Sequence, residues 1–284
     1  MYKRKDQREI FRQYITEKEK IQEKFGKDAM VYESEHNKLR HQKGQKFFQS
    51  FELSIRHHNA LNSGAPAFER MWHFWGNHFS LSNKDFISDW HYGPYMREAI
   101  RPSMDKTFEE MVVEVTTSWG MIHHRDNTDN IGPNSQEGRR ENSDGDKRKV
   151  GLNENHGREL LELHTVSPAA NYTQDDVINM AKVLSGWAKK WSKKNLWAGP
   201  LVFQPELHEM GQKNILGKSY NTKENKMTGN KQLIAVIKDL INHKSCREFI
   251  AKKLCQHFIT DEPSQEMINP IIQAWVKSDG FLPD

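Results

Sequence analysis

Apolar residues recur at steps of three and four along most of the chain, the period of an α-helix with one buried face. Phe68, Met71, Trp72, Trp75 and Phe79 predict a buried helix with a large aromatic load. His78 shares a face with Met71 and Phe74, which puts it in the core or on the wall of a cleft. A second stripe carries Phe108, Met111, Val112, Val115 and Trp119, with Ser103 as its expected cap. A third carries Val177, Met180, Ala181, Leu184 and Trp187 and opens with Thr173 and Asp176 in the spacing of a capping box. Gly186, just before Trp187, marks a helix end or a close backbone approach. Further stripes run through Leu233, Val236, Ile237 and Leu240, through Cys246, Phe249, Ile250, Leu254, His257 and Phe258, and through Met267, Ile268, Ile271, Ile272 and Trp275. Only 196–203 and 214–220 look strand-like. The pattern predicts a mainly α, irregular multi-helix globular fold with a small β-hairpin or strand-like element near 196–220. No fixed-period repeat is visible, which argues against a solenoid.

Residues 1–50 read as a charged helical N-terminal extension, and 51–284 as the main helical domain. Within it, 128–150 is polar, charged and glycine-containing, with almost no apolar anchors, and reads as a mobile surface loop. Such a loop between two polar motifs is either a lid or a tolerated insertion, and the insertion is the commoner case.

A chain of 284 residues can bury a substantial core. No apolar run approaches 18 residues, so no membrane span is expected. The first twenty residues are charged throughout and lack the apolar stretch of a secretory signal. Cys246 and Cys255 lie on one predicted helix, too far apart along it for a disulfide. The net charge of +4 is mild. Lys189, Lys190, Lys193 and Lys194 surround Trp191 in a basic patch. Such a patch can grip a nucleic-acid strand, but it more commonly forms a solvated loop, and a nucleic-acid partner is not expected. No HExxH, CxxC, EF-hand, P-loop, GxSxG or strand-linked GxGxxG spacing is present. Ser135 in GPNS lacks the setting of a nucleophile elbow.

The densest candidate chemistry is at 153–165, NENHGRELLELHT. Polar groups this crowded are costly to bury unless each finds a partner. Asn153 is the expected N-cap, and Pro168 stops the helix. At about 100° per residue, Glu154, Asn155, Arg158, Glu159, Glu162 and Thr165 share one arc. Leu160, Leu161 and Leu163 share the other, with His164 among them as a core histidine near a helix C-terminus. Glu159 and Glu162, three residues apart, can share a site, with Arg158 between them. Glu162 and His164 point to nearly opposite sides and cannot easily hold one ion. A solvated face with Glu154–Arg158 and Arg158–Glu162 pairs is the plainer reading of the same residues.

At these residues the chain resembles the mainly bacterial proteins catalogued as domain of unknown function 1800. That family's signature is similar to NEN-x-x-RE-x-LELHT followed by a Gly-rich turn, YT-x-x-DV and a helix ending in GW. Here the matching stretches are NENHGRELLELHT, NYTQDDV and SGW. RMWHFWGNHFSLS, GPYMREAIRP, DNTDNIGPNS, HEMGQKNILGKSY and FIAKKLCQHFITDEP extend the likeness over most of the chain. The resemblance implies a largely helical fold and no particular reaction. It also implies relatives that often carry export signals, so that an exported or periplasmic setting is open, and relatives longer at the C-terminus. Three places depart from the pattern. Val166, Ser167 and Pro168 stand where the family has Leu-Gly and a glycine-rich turn. His123, His124 and Arg125 replace a more apolar approach. Glu209 replaces an aspartate.

Two functions are then expected. The first is a hydrolase in which Glu159 and Glu162 act as acid–base groups or ligands, with Arg158 and His78 assisting. Arg97, Asn155, Asp126, Asn127 and Lys213 would hold substrate, and His208 and His164 would contribute to a possible divalent metal site. Arg97 is expected to pair with Glu98, Glu159 or Glu162. The alternative is a non-catalytic binding or scaffold protein in which the Arg/Glu/His cluster is structural. Both place the rod at 154–165 centrally, against the ends of 68–79 and 93–101.

Overall fold

The computed structural model describes residues 7–42, 50–82, 84, 86–143, 149–187, 203–221 and 229–283. The fold is mainly α, as the periodicity predicts. α1 (Gln7–Phe25) and α2 (Ala29–Arg40) pack as a hairpin. Asp28 caps α2 by accepting from the amides of Met30 and Val31, both at 3.1 Å. α3 (Ser50–Asn62) packs on the aromatic helix α4 (Pro66–His78). α5 (Phe86–Pro94) runs on through a π-helical stretch, Tyr95–Ile100, into the short α6 (Arg101–Ser103). α7 (Phe108–Thr117) and α8 (Trp119–His124) follow.

The cap of α7 is Thr107, not Ser103. Thr107 accepts from the Glu110 amide while the Glu110 carboxylate reaches back to the Thr107 amide, a complete capping box. Ser103 instead donates to the Ala99 carbonyl at 2.7 Å, inside its own helix.

Within 128–150, α9 (Gln136–Ser143) forms a helix where the sequence suggested only loop. Asn142 holds its return, exchanging side-chain hydrogen bonds with the amide and carbonyl of Val150. α10 (Asn155–Glu159) continues as a π-helix over Leu160–His164. α11 (Gln174–Leu184) opens with the Thr173/Asp176 capping box.

The expected hairpin is β1 (Lys213–Ile215) antiparallel to β2 (Lys218–Tyr220), with Asn214 opposite Ser219. Leu216 and Gly217, both at positive φ, make its turn. The strand-like stretch at 196–202 and the lysines around Trp191 lie outside the described residues. α12 (Gly229–Ile241), α13 (Lys244–Phe258) and α14 (Gln265–Ser278) complete the chain. No described helix is long and apolar enough to cross a membrane.

One core joins Trp72, Trp75 and Phe79 of the aromatic segment to Phe108 and Met111 of α7, Leu160 and Leu161 of the rod, Met180 and Leu184 of α11, and Leu233 and Ile237 of α12. The rod therefore contributes to this core through Leu160 and Leu161.

Candidate functional site

Two buried asparagines position the start of the rod. Asn130 Nδ2 donates to the Ala181 carbonyl at 2.8 Å and to Asn127 Oδ1 at 2.9 Å, and its own Oδ1 accepts from the Asn153 amide at 3.0 Å. Asn127 Nδ2 donates to the carbonyls of Leu184 and Trp187. Together they tie the end of α11 to the entry of α10. Asn153 Oδ1 accepts from the Asn155 amide at 3.0 Å, so its side chain closes the turn before the helix, and Glu154 occupies the N-cap. Asn127 thus braces these segments, and Asn155 is exposed. At Gly157 a Cβ would lie 3.0 Å from the Ala181 amide nitrogen, so the glycine lets the two helices meet backbone to backbone.

The π-helical stretch changes the arcs expected of a regular helix. Each residue of a π-turn rotates less than in an α-helix, so the phase slips after Leu160. Leu163, expected among the buried leucines, is exposed, while Thr165, expected on the polar arc, is fully buried. Thr165 donates to the Leu160 carbonyl at 2.6 Å, and the Ser167 amide donates to the Leu161 carbonyl at 2.9 Å. Ser167 closes the turn at φ 62°, ψ 169°, a region that L-residues avoid and glycine tolerates.

The rod's carboxylates have partners. Glu159 Oε1 lies 3.0 Å from Arg125 Nη1, contributed by the end of α8. Burial lowers the Arg125 guanidinium from its ordinary value, and the Glu159 carboxylate opposes the shift. Glu162 accepts from the Tyr172 hydroxyl at 3.2 Å. Arg158 turns outward, donating to Glu154 at 3.1 Å and to Gln174 at 2.9 Å. The expected pairing of Arg97 with Glu98, Glu159 or Glu162 does not form: Arg97 bonds Glu52 of α3, because the π-helical stretch at Tyr95–Ile100 faces that helix. Asp126 pairs with Lys84, and Ser135 accepts from the Gly138 amide inside its own turn. Glu159 Oε2, Arg125 Nε, His156 Nδ1 and His164 Nδ1 are buried and lack a hydrogen-bond partner among the described residues.

Burial favours the neutral form of the rod's two histidines. His156 Nε2 donates to the Thr116 carbonyl at 3.0 Å; burial holds its pKa near 4, partly offset by that bond. His164 is core, as expected. Burial, then the charges of neighbouring groups led by His78, push it well below its ordinary value.

His78 meets the rod directly. Its Nε2 donates to the His164 carbonyl at 3.1 Å, which leaves Nδ1 as an acceptor for Lys253 Nζ at 2.9 Å. Burial, reinforced by the Lys253 charge, lowers His78 to about 3. Burial lowers the Lys253 ammonium as well. Phe74, Asn77, His78, Lys253, Gln256 and His257 line an open cleft of about 290 Å³ between α4 and α13.

His208 and Lys213 form a second, closed cluster. His208 Nδ1 donates to the Ser185 carbonyl at 2.6 Å, and its Nε2 accepts from Lys213 Nζ at 3.3 Å. Lys213 also donates to the Glu209 carbonyl and is fully buried. Burial brings its pKa down to about 8, with the Glu209 carboxylate opposing and Lys182 reinforcing. His208 falls to about 4, again first by burial. The Glu209 carboxylate accepts from the amide of Asn134 at 2.9 Å and from its side chain at 2.7 Å. Gly132 makes this contact possible, since a Cβ there would lie 2.5 Å from the Glu209 nitrogen.

The expected site residues therefore divide. Glu159, Glu162, His164 and His78 gather on or against the rod, whereas Arg97, Arg158, Asn155 and Asp126 face elsewhere and His208 with Lys213 forms its own cluster. His164 and His208, expected to contribute to one metal site, lie in different clusters. Among the described residues no three His, Cys, Asp or Glu side chains group as a cation's ligands. Arg125, His156 and Lys253 also meet these clusters, and the sequence pattern does not single them out as site residues. Lys253 was detectable only as a lysine spaced four residues from Phe249 and from His257 on one predicted helix.

A family model described as "Protein of unknown function (DUF1800)" matches residues 2–284. Comparison with curated proteins finds no match, and neither does comparison with solved structures.

Proposed function

This chain belongs to the DUF1800 family of proteins of unknown function, and on its geometry we propose a non-catalytic binding protein in which the Arg/Glu/His cluster around α10 is structural. The observation that carries this reading is the Arg125–Glu159 pair at 3.0 Å, a cation from α8 closing over the carboxylate most central to the rod. Glu162 is engaged by Tyr172, and Arg158 by Glu154 and Gln174. A hydrolase using Glu159 and Glu162 needs both carboxylates to face a shared water or ion. Here each is turned to a different protein group. Half-buried ion pairs of this kind hold elements in register, and removing one partner leaves the other uncompensated.

The hydrolase reading keeps one specific support: Glu159 Oε2 is buried, unbonded among the described residues and on the same rod that His78 contacts. Thermal melts of Glu159→Gln and Glu162→Gln separate the two. The structural reading expects Glu159→Gln to lose about 1–2 kcal/mol, a fall of several degrees in Tm, and Glu162→Gln to lose less. An unchanged Tm for Glu159→Gln, together with loss of hydrolysis of generic ester or phosphate substrates by the purified protein, would overturn it.

A further inference from the structure

The cleft between α4 and α13 has a chemical character that the rod does not explain. Its wall residues are Phe74, Asn77, His78, Lys253, Gln256 and His257, with no carboxylate among them. Asn77 and Gln256 offer amide N–H groups, and Lys253 offers an ammonium. Gln256 already gives one donor to the Asp261 carbonyl at 3.2 Å. Among the described residues no carboxylate forms an ion pair with Lys253; there its ammonium lies only against the neutral Nδ1 of His78 and over the Phe249 ring, 5.2 Å from its centroid. A half-buried cation without a counter-charge sits at a cost that an incoming anion relieves. The remaining wall is aromatic, with the Phe74 and His257 rings tilted at 59° to each other. The Phe74 ring lies 5.4 Å from that of His257 and is stacked with His78 at 6.2 Å. The volume of about 290 Å³ is at the small end of ligand pockets, which suits a compact molecule rather than a polymer.

We propose that the α4–α13 cleft binds a small organic anion, a carboxylate carried on a flat apolar group, with Lys253 as its counter-charge. The inference rests on the reading of this chain as a binding protein and locates where that binding occurs. The carboxylate accepts from Lys253 Nζ and from the Asn77 or Gln256 amide, and the apolar group lies flat against one of the Phe74 and His257 rings and meets the other by its edge. A lysine supplies a point charge rather than a two-pronged guanidinium, so selectivity for anion geometry is modest and selectivity for charge is strong. His78 orients the ammonium: its Nε2 is fixed on the His164 carbonyl, so its Nδ1 always faces Lys253 as an acceptor.

The test is calorimetric titration of the full chain with benzoate and, in parallel, with benzamide, its neutral near-isostere. The expected result is saturable benzoate binding with a Kd of roughly millimolar, benzamide at least about tenfold weaker, and Lys253→Met losing benzoate affinity by about tenfold. Equal affinity for benzamide, or undiminished benzoate binding by a folded Lys253→Met, overturns the proposal. If Lys253→Met does not fold, the ¹⁵N resonance of His78 Nδ1 in the unaltered chain decides. Its shift on benzoate but not benzamide supports the site, and no shift on either overturns it. Absence of benzoate binding beside a destabilised Glu159→Gln removes the cleft and leaves the structural reading of the rod intact. Benzoate binding beside a Glu159→Gln that keeps its Tm and loses hydrolysis does the reverse.

Discussion

The same device is built twice in this molecule. In each case a neutral histidine donates from one nitrogen to a backbone carbonyl and accepts on the other from a lysine. His78 uses Nε2 for the carbonyl and Nδ1 for Lys253, and His208 uses Nδ1 for the carbonyl and Nε2 for Lys213. The two differ in enclosure. Lys213, at the start of the hairpin, is fully buried and has a second acceptor in the Glu209 carbonyl, whereas Lys253 is half-buried on the wall of an open cleft. A polar pair sealed in the interior must be satisfied by protein groups alone and so acts as a structural joint. A pair at a cleft wall keeps a face for a ligand. Burial and exposure, more than residue type, separate what is structural from what is available to bind.

The sharpest way to break this comparison is to truncate the two lysines. Lys213→Ala opens a cavity and strips a donor from His208 and from Glu209, for an expected loss of about 3 kcal/mol. Lys213→Met keeps the volume and recovers the desolvation cost of the ammonium, so it should lose less. Lys253→Met, where water can replace the donor, should lose under about 1 kcal/mol. Chemical denaturation of the three variants checks the order, and equal losses at the two lysines would erase the distinction.

Arg125→Met should fall between them, at about 2 kcal/mol, because it leaves Glu159 half-buried without its cation. Equilibrium denaturation reads this directly, and a neutral variant would contradict the structural role of the pair.

Acid sharpens the comparison in a different way. His78 is held near 3 and His208 and His156 near 4, while in the unfolded chain each returns to about 6.5. Across that window the unfolded state binds more protons than the folded state, so stability falls as pH drops. Tm should therefore decline between pH 6.5 and about 5, above the range where most carboxylates titrate. A flat Tm over that interval would mean the histidines are not buried neutral. Lys213 acts with the same sign at the other end. Its folded pKa of about 8 lies below the ordinary lysine value, so stability gains from this group as pH rises above 8, and Lys213→Met should lack that gain.

The smallest expected change is a gain. Ser167 holds a backbone angle that suits glycine, and Ser167→Gly should stabilise by up to about 1 kcal/mol, read as a small rise in Tm.

The helices were legible because each repeats a buried stripe, as in Val177, Met180 and Leu184, and the capping box at Thr173 and Asp176 was legible because its spacing is local. What stayed hidden depended on neighbours distant in sequence. Arg97 finds Glu52 across the packing of α3, and Glu159 finds Arg125 from α8, pairings that no spacing announces. Leu163 and Thr165 were exchanged between faces because the π-turn slips the phase, and nothing in LELHT distinguishes that turn from a regular helix. His208 and Lys213 stand together in one short motif and are legible as chemistry there. Their closure at the start of the hairpin, and the role of Gly132 in admitting Glu209, required the fold.

A double-mutant cycle on Arg125→Met and Glu159→Gln, read by equilibrium denaturation, addresses the rod most directly. A structural pair predicts a coupling of roughly 1–2 kcal/mol, the double variant losing less than the two single losses together. Losses that simply add would show that the two side chains do not support each other, and the account of α10 as a structural hub would fail.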